Sequence, residues 1–153
     1  MPQEILFYTT KGPYGFLSNF YRAAQQMKMY YNEDSDVKFL FATNEHYYQS
    51  QKATTDFIKW WIASAPSPFL AMKAGHSLRS EQGEFRADWE MIKDNVMLTG
   101  LRAKFTQNPD IRDLLIDTGD SIIHEASPSD RYWGMKGQDK LGKMLMQVRE
   151  ELR

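Results

Sequence analysis

Apolar and polar positions divide the chain into a short β-rich first third and a helical remainder. Glu4–Tyr8 (Glu-Ile-Leu-Phe-Tyr) reads as a strand, followed by a loop over Thr9–Gly15 that holds two glycines and Pro13. Met27–Tyr31 and Val37–Ala42 read as two strands of a hairpin, joined by the acidic turn Asn32–Asp36. Helical spacing then takes over. Asp56–Ala63 places Phe57, Trp60 and Trp61 where they suit packing against a core. Ser67-Pro68 starts a further helix that ends near Gly75. The longest helix is predicted over Glu84–Gln107, with Phe85, Trp89, Ile92, Val96 and Phe105 near one face. Asn108-Pro109 ends it and opens a short helix to Asp117. Ser121–Glu125 reads as one more strand with Ile122 and Ile123 buried, and Ser127–Gln138 as a polar and aromatic loop. Lys140–Leu152 closes the chain as an amphipathic helix through Leu141, Leu145, Val148 and Leu152. The pattern predicts an α+β fold: one domain over residues 1–153, mainly α-helical, with a small antiparallel sheet.

Between hairpin and helices lies Asn44–Lys52, Asn-Glu-His-Tyr-Tyr-Gln-Ser-Gln-Lys. Asn44 reads as a helix N-cap. Glu45, Gln49 and Lys52 then fall at i, i+4 and i+7 on one stripe, about 10 Å long at 1.5 Å per residue. An acid, an amide and an amine over that span can contact several parts of one polar ligand. Such stripes also line solvated surface helices, and the helix alone favours that reading.

Composition narrows the function classes. A net charge of −1 offers no global electrostatic case for nucleic acid or an anionic membrane. The absence of cysteine excludes thiol catalysis and disulfides. The three histidines are isolated, with no metal-binding spacing, and no phosphate loop, dinucleotide fingerprint or nucleophile elbow is present. No metal or cofactor is expected. Met1–Tyr8 lacks the pattern of a signal peptide and no apolar run has the length of a membrane span, so a cytoplasmic protein is expected.

Four places remain for chemistry. The first is the Glu45/Gln49/Lys52 stripe. In Phe16–Tyr21, Ser18 and Asn19 set between aromatics suggest either a local turn or a pocket wall, with Asn19 hydrogen-bonding and Phe20 stacking on a flat ligand. Arg86, Trp89 and Lys93 share a face at i, i+3 and i+7, with Arg102 further along; the cations suit phosphate or carboxylate, or a solvated face, and Trp89 suits the core. Asp130-Arg131-Tyr132-Trp133-Gly134 combines a carboxylate and two aromatics before a flexible glycine, a loop composition frequent at functional sites.

Taken together these pieces resemble the YbiA-like proteins, also called the NADAR family. The resemblance rests on Phe16-Leu17-Ser18-Asn19-Phe20, on Glu45-His46-Tyr47-Tyr48-Gln49 with Gln51-Lys52, and on Arg86, Trp89, Lys93 and Val96-Met97. It continues through Leu101-Arg102-Ala103-Lys104-Phe105, Asp130 with Tyr132-Trp133-Gly134, Leu141-Gly142, Leu145-Met146 and Arg149. Their order and spacing from Phe16 to Leu152 carry the assignment.

The resemblance implies an N-glycosidase acting on phosphoribosylamino-pyrimidine intermediates of riboflavin synthesis, releasing ribose 5-phosphate and the free aminopyrimidine. Its alternatives are removal of ADP-ribose from guanine in nucleic acid, or non-catalytic binding of ADP-ribose or a nucleotide. The partner is then a small phosphoribosyl or ADP-ribosyl molecule, with nucleic acid entering only under the second reading; the oligomeric state stays open. Breaking a C1–N bond develops oxocarbenium character, which a carboxylate stabilises while activating water. Glu45 is the first choice for that group and Asp130 the second. Lys52 stabilises the opened sugar or attacks C1 to form an imine. Phe20, Tyr132 and Trp133 are candidates to stack on the base, and Arg86, Lys93 and Arg102 to hold phosphate. Trp89 stands equally as pocket residue and core residue. One departure stands out: Met135–Lys140 is short, and Asp139 occupies the place where the family usually carries Asn. An acid beside the loop would disfavour an anionic phosphate there.

Overall fold

The computed structural model describes residues 3–30 and 38–153; the turn expected at Asn32–Asp36 lies outside them. Among the described residues four strands are formed: β1 (Glu4–Phe7), β2 (Met27–Tyr30), β3 (Lys38–Phe41) and β4 (Ile122–Glu125). Six helices accompany them: α1 (Asn44–Ser50), α2 (Asp56–Ala63), α3 (Pro68–His76), α4 (Trp89–Gln107), α5 (Pro109–Asp117) and α6 (Lys140–Leu152). Single 3₁₀ turns lie at Gly15–Leu17 and Ser80–Gln82.

The antiparallel pair is the hairpin β2–β3, in register Met27↔Phe41 to Tyr30↔Lys38. A second two-stranded sheet pairs β1 with β4 in parallel, Glu4↔Ile122 to Phe7↔Glu125. A parallel pair needs a crossover rather than a tight turn, and here nearly all the helices lie between the two strands. The period-two alternation buries Ile5 and Phe7 on β1, and Ile123 and Glu125 on β4. A carboxylate thereby enters the interior.

The main core gathers Met97, Leu101 and Phe105 of α4, Ile111 and Leu115 of α5, Ile123 of β4, and Leu141, Leu145 and Val148 of α6. Each such side chain contributes about 1.5–3 kcal/mol by leaving water. Phe16 meets Phe105 edge-on, with ring centroids 6.4 Å apart. A smaller cluster packs Met27, Phe39 and Phe41 of the hairpin against Tyr47 of α1.

Three expectations are corrected. Phe57, Trp60 and Trp61 do not join the core: they are 83%, 55% and 53% exposed, and Ile62 is the residue of α2 that is buried. The helix lies at the edge of the molecule, where its aromatic face finds little beyond the ring of Phe39, 5.2 Å from Trp60. The long helix begins at Trp89 rather than Glu84, because Phe85 is drawn into an isolated bridge with Ala53 and Arg86 N donates to the Lys52 carbonyl. The N-cap of α1 is Thr43, whose Oγ1 accepts from His46 N; Asn44 sits one residue inside. The Ser67 cap with Pro68 in the first turn forms as read from the sequence.

Candidate functional site

All seven residues of α1 are buried, since the helix is wrapped by α2, α3, α4 and β3. The stripe is therefore not a solvated face. Glu45, Gln49 and Lys52 are 7%, 2% and 8% exposed and line a cleft of about 350 Å³. Polar groups at this depth need partners. Gln49 Nε2 donates to Glu45 Oε1 at 2.7 Å, and Asn44 Nδ2 donates to Asn19 Oδ1 at 2.8 Å. His46 bonds through Nε2 to the Ala65 carbonyl at 2.9 Å and through Nδ1 to Thr43 Oγ1 at 2.7 Å, and burial lowers its affinity for a further proton. His46 thus anchors the helix.

Two glycines let neighbouring helices close on α1. A Cβ on Gly75 of α3 would come within 2.0 Å of Gln49 Oε1, and one on Gly100 of α4 within 2.0 Å of Asn44 Oδ1. Gly75 is therefore a close-approach residue inside α3, not the stop signal expected from its position.

The opposite wall comes from three segments. The turn after the first 3₁₀ element supplies Ser18, Asn19 and Phe20; the end of β4 supplies Glu125; the following loop supplies Ser127, Asp130 and Trp133. Lys104, 1% exposed on α4, fastens the first segment by donating to the carbonyls of Phe16 (2.7 Å) and Ser18 (2.8 Å). Asp130 Oδ1 accepts from the backbone N–H groups of Tyr132 (2.9 Å) and Trp133 (2.8 Å), shaping the loop. Trp133 meets Tyr48 edge-on at 5.8 Å, so both rings border the cleft.

Burial dominates the electrostatics. It raises the Glu45 carboxyl, an effect partly offset by the Gln49 hydrogen bond and by Lys52. The N-terminal position on the helix, which favours the anion, does not overcome that desolvation. Burial lowers the Lys52 amine, against the attraction of Glu45; its Nζ lies 5.3 Å from the Tyr48 ring centre and 5.7 Å from that of Trp89. Glu125 is pushed up to about 7 by burial, with Asp130 and Asp139 adding to the effect and a hydrogen bond from Ser127 N opposing it.

Of the residues selected from the sequence, Asn19, Phe20, Glu45, Gln49, Lys52, Asp130 and Trp133 come together around one cleft. The others do not line it. Trp89, 4% exposed, lies in the core behind Tyr48. Tyr132 turns outward, where its hydroxyl donates to Asp94; Lys140 Nζ reaches the same carboxylate at 2.6 Å and Lys93 Nζ lies 3.9 Å from the tyrosine ring centre. The cluster clamps the loop to α4 and α6. All three expected phosphate ligands are paired elsewhere: Arg86 with Asp88 at 2.9 Å, Lys93 with Glu90 at 2.6 Å, and Arg102 with Glu151 at 2.6 Å. Among the described residues the basic side chains lining the cleft are Lys52 and His76.

Asp139 also has a different place. It is 9% exposed, with φ +50°, and its carboxylate accepts from Glu125 N at 3.2 Å and pairs with His124 Nδ1 at 2.6 Å. Asn and Asp both tolerate this left-handed backbone. Its charge is directed at His124, not into the cleft.

Ser18, read from the sequence as turn or pocket wall, borders the cleft, and Tyr48, Met72, His76, Met97, Glu125 and Ser127 do so without having been selected from the sequence. Glu125 alone left a legible signal. In an alternating strand it shares the face of buried Ile123, and a carboxylate on such a face calls for an explanation.

These features define a buried acid–amide–amine array in an aromatic-walled cleft. Residues 6–153 match the model of the NADAR domain. N-glycosidase YbiA of Escherichia coli (strain K12) is 38% identical over 152 residues, covering 97% of this chain and 88% of that protein. N-glycosidase Npun_R5314 of Nostoc punctiforme is 36% identical over 156 residues, covering 97% and 92%. The chloroplastic riboflavin biosynthesis protein PYRR of Zea mays is 35% identical over 160 residues, covering 97% of this chain and 25% of that one. The solution structure of E. coli YbiA superposes with a TM-score of 0.80 at 36% identity, covering 99% of this chain and 86% of the other. The chain belongs to the NADAR family.

Proposed function

We propose that this protein hydrolyses the C1–N bond of a phosphoribosylamino-pyrimidine of the riboflavin pathway, yielding ribose 5-phosphate and the free aminopyrimidine. The general class, a hydrolase of N-glycosyl bonds, follows its membership of a family whose relatives are named N-glycosidases. The pyrimidine substrate is supported by relatives named for riboflavin biosynthesis.

The observation that carries the reading is Glu45: a buried carboxyl, oriented by Gln49 and facing Lys52, at the wall of a cleft bordered by Phe20, Tyr48 and Trp133. The aromatic rings hold the flat heterocycle. Glu45 takes a proton from water as its oxygen bonds to C1, and the C1–N electron pair leaves with nitrogen. A carboxyl whose affinity for protons is raised by burial is the better base for this step. Lys52, lowered by the same burial, has amine character available to stabilise or capture the opened sugar. Asp130 borders the cleft while holding the loop that carries Trp133. Arg86, Lys93 and Arg102, each engaged with its own carboxylate, have no part in this scheme.

The test is a direct assay of the purified protein with the phosphoribosylamino-pyrimidines and, in parallel, with ADP-ribosylated guanine, following released sugar phosphate or ADP-ribose by mass spectrometry. Turnover of the first substrate, reduced roughly 10²–10⁴-fold in Glu45→Gln with the fold retained, is expected. Turnover of the second alone moves the protein to de-ADP-ribosylation. Binding without turnover of either leaves a nucleotide-binding module.

A further inference from the structure

Hydrolysis at C1 needs two proton movements: one from the attacking water and one to the departing nitrogen. An aminopyrimidine expelled without a proton would leave as a strongly basic anion, so a donor is required. Glu45 is raised by burial, with Asp130 adding to the effect, but the Gln49 amide N–H and the Lys52 amine beside it work the other way. The cleft contains a second buried carboxyl, one without an amine acting on it.

Glu125 ends β4 and lines the same cleft, 7% exposed. Its Oε1 accepts from Ser127 N at 2.8 Å, while Oε2 is buried and has no hydrogen-bond partner among the described residues. That free oxygen lies against Gly134, where a Cβ would come within 2.7 Å of it. The backbone is held independently: Glu125 N donates to Asp139 Oδ1 at 3.2 Å, and Met135 N donates to the Glu125 carbonyl at 2.7 Å. The end of β4 and the loop after it thus hold a carboxyl whose second oxygen makes no internal bond. The charged groups facing it are carboxylates, Asp130 from the loop and Asp139 from the start of α6, the latter answered by His124; Glu45 borders the cleft from α1. Lys52 and His76 line the same cleft, but neither is among the groups that act on Glu125.

We propose that Glu125 is the catalytic acid, delivering the proton of its carboxyl to the nitrogen on C1 as the C1–N bond breaks. The electron pair of that bond stays on nitrogen, which leaves as the neutral amine. Glu125 becomes a carboxylate and Glu45 carries the proton taken from water; exchange with solvent restores both. The assignment rests on the N-glycosidase reading above and adds a division of labour to it: one acid poised by a cation and an amide as base, one acid surrounded by anions as donor.

The experiment compares two substrates in wild type and Glu125→Gln. One is the phosphoribosylamino-pyrimidine. The other is ribose 5-phosphate bearing azide at C1, whose leaving group departs as a stable anion and needs no proton. Loss of roughly 10²–10⁴-fold on the pyrimidine, with less than about tenfold loss on the azide, is expected. The fall in pyrimidine turnover as pH rises through about 7 should also vanish in the variant. Equal loss on both substrates, or no loss on either, overturns the acid assignment while leaving the glycosidase reading intact. A wild type that cleaves neither substrate overturns the reading itself. Should Glu125→Gln fail to fold, Glu125→Asp is the second probe: partial pyrimidine activity with its alkaline limb displaced supports the assignment, and equal losses on the two substrates refute it.

Discussion

Replacing Lys104 by Met tests how this fold holds its cleft wall. Lys104 is fully buried, and burial lowers its amine from 10.5 to about 7. Between those values the unfolded chain binds a proton that the folded chain does not, so wild-type stability rises with pH. The sign is that of an unfavourable charge. The cost is fully present below about pH 7 and disappears by about 10.5, at about 1.4 kcal/mol per pH unit. Met fills similar volume and carries no charge, but it leaves the Phe16 and Ser18 carbonyls without their donor, a penalty of about 1–3 kcal/mol each. At pH 7 the relief and the penalty nearly cancel. At pH 10 the penalty stands alone, and the variant should have lost about 4 kcal/mol relative to wild type over that interval. Urea unfolding of both proteins at steps from pH 7 to 10 measures this, and subtracting the two curves removes the titration of every other group. Curves that stay parallel within about 1 kcal/mol would refute the reasoning. The same change should raise KM more than it lowers kcat, because the two carbonyls belong to the segment that leads directly into Asn19 and Phe20.

Other consequences follow from the same geometry. If Lys52 captures the opened sugar, cyanoborohydride added during turnover should leave a protein adduct of one ribose phosphate, absent in Lys52→Arg; intact-mass spectrometry decides it. Asp139→Asn removes the carboxylate that raises His124, a contribution fully present below the ordinary histidine value of 6.5 and lost as pH rises through the raised value. The variant should therefore lose about 1–2 kcal/mol near pH 5.5 and little at pH 8.5, read from unfolding curves at both. Gly75→Ala drives a Cβ into Gln49, 2.0 Å from Oε1 and 3.0 Å from its Cβ. It should destabilise the fold by about 1–3 kcal/mol and reduce turnover further than that loss explains, since Gln49 orients Glu45.

Local rules made much of the frame legible. The Ser67-Pro68 start, the Asn108-Pro109 junction, the hairpin and the final amphipathic helix depend on residues close together in sequence, where capping, proline geometry and periodicity act. The stripe of Glu45, Gln49 and Lys52 was legible as a stripe for the same reason. Its direction was not. Helical periodicity says that three side chains share a face, while only the packing of α2, α3 and α4 around α1 turns that face into a buried cleft. Phe57, Trp60 and Trp61 show the converse: an apolar face whose covering layer is absent among the described residues. Arg86, Lys93 and Arg102 share the right chemistry for phosphate, yet each pairs with a carboxylate: Arg86 and Lys93 with the near neighbours Asp88 and Glu90, and Arg102 with Glu151, which only the fold brings close. Glu125 needed the parallel pairing of two strands more than a hundred residues apart to bring it opposite Glu45. Sequence alone determined most of the elements and which side chains share a helix face, because those depend on neighbours along the chain. Tertiary structure decided which of those residues meet, because burial and charge pairing are set by distant segments.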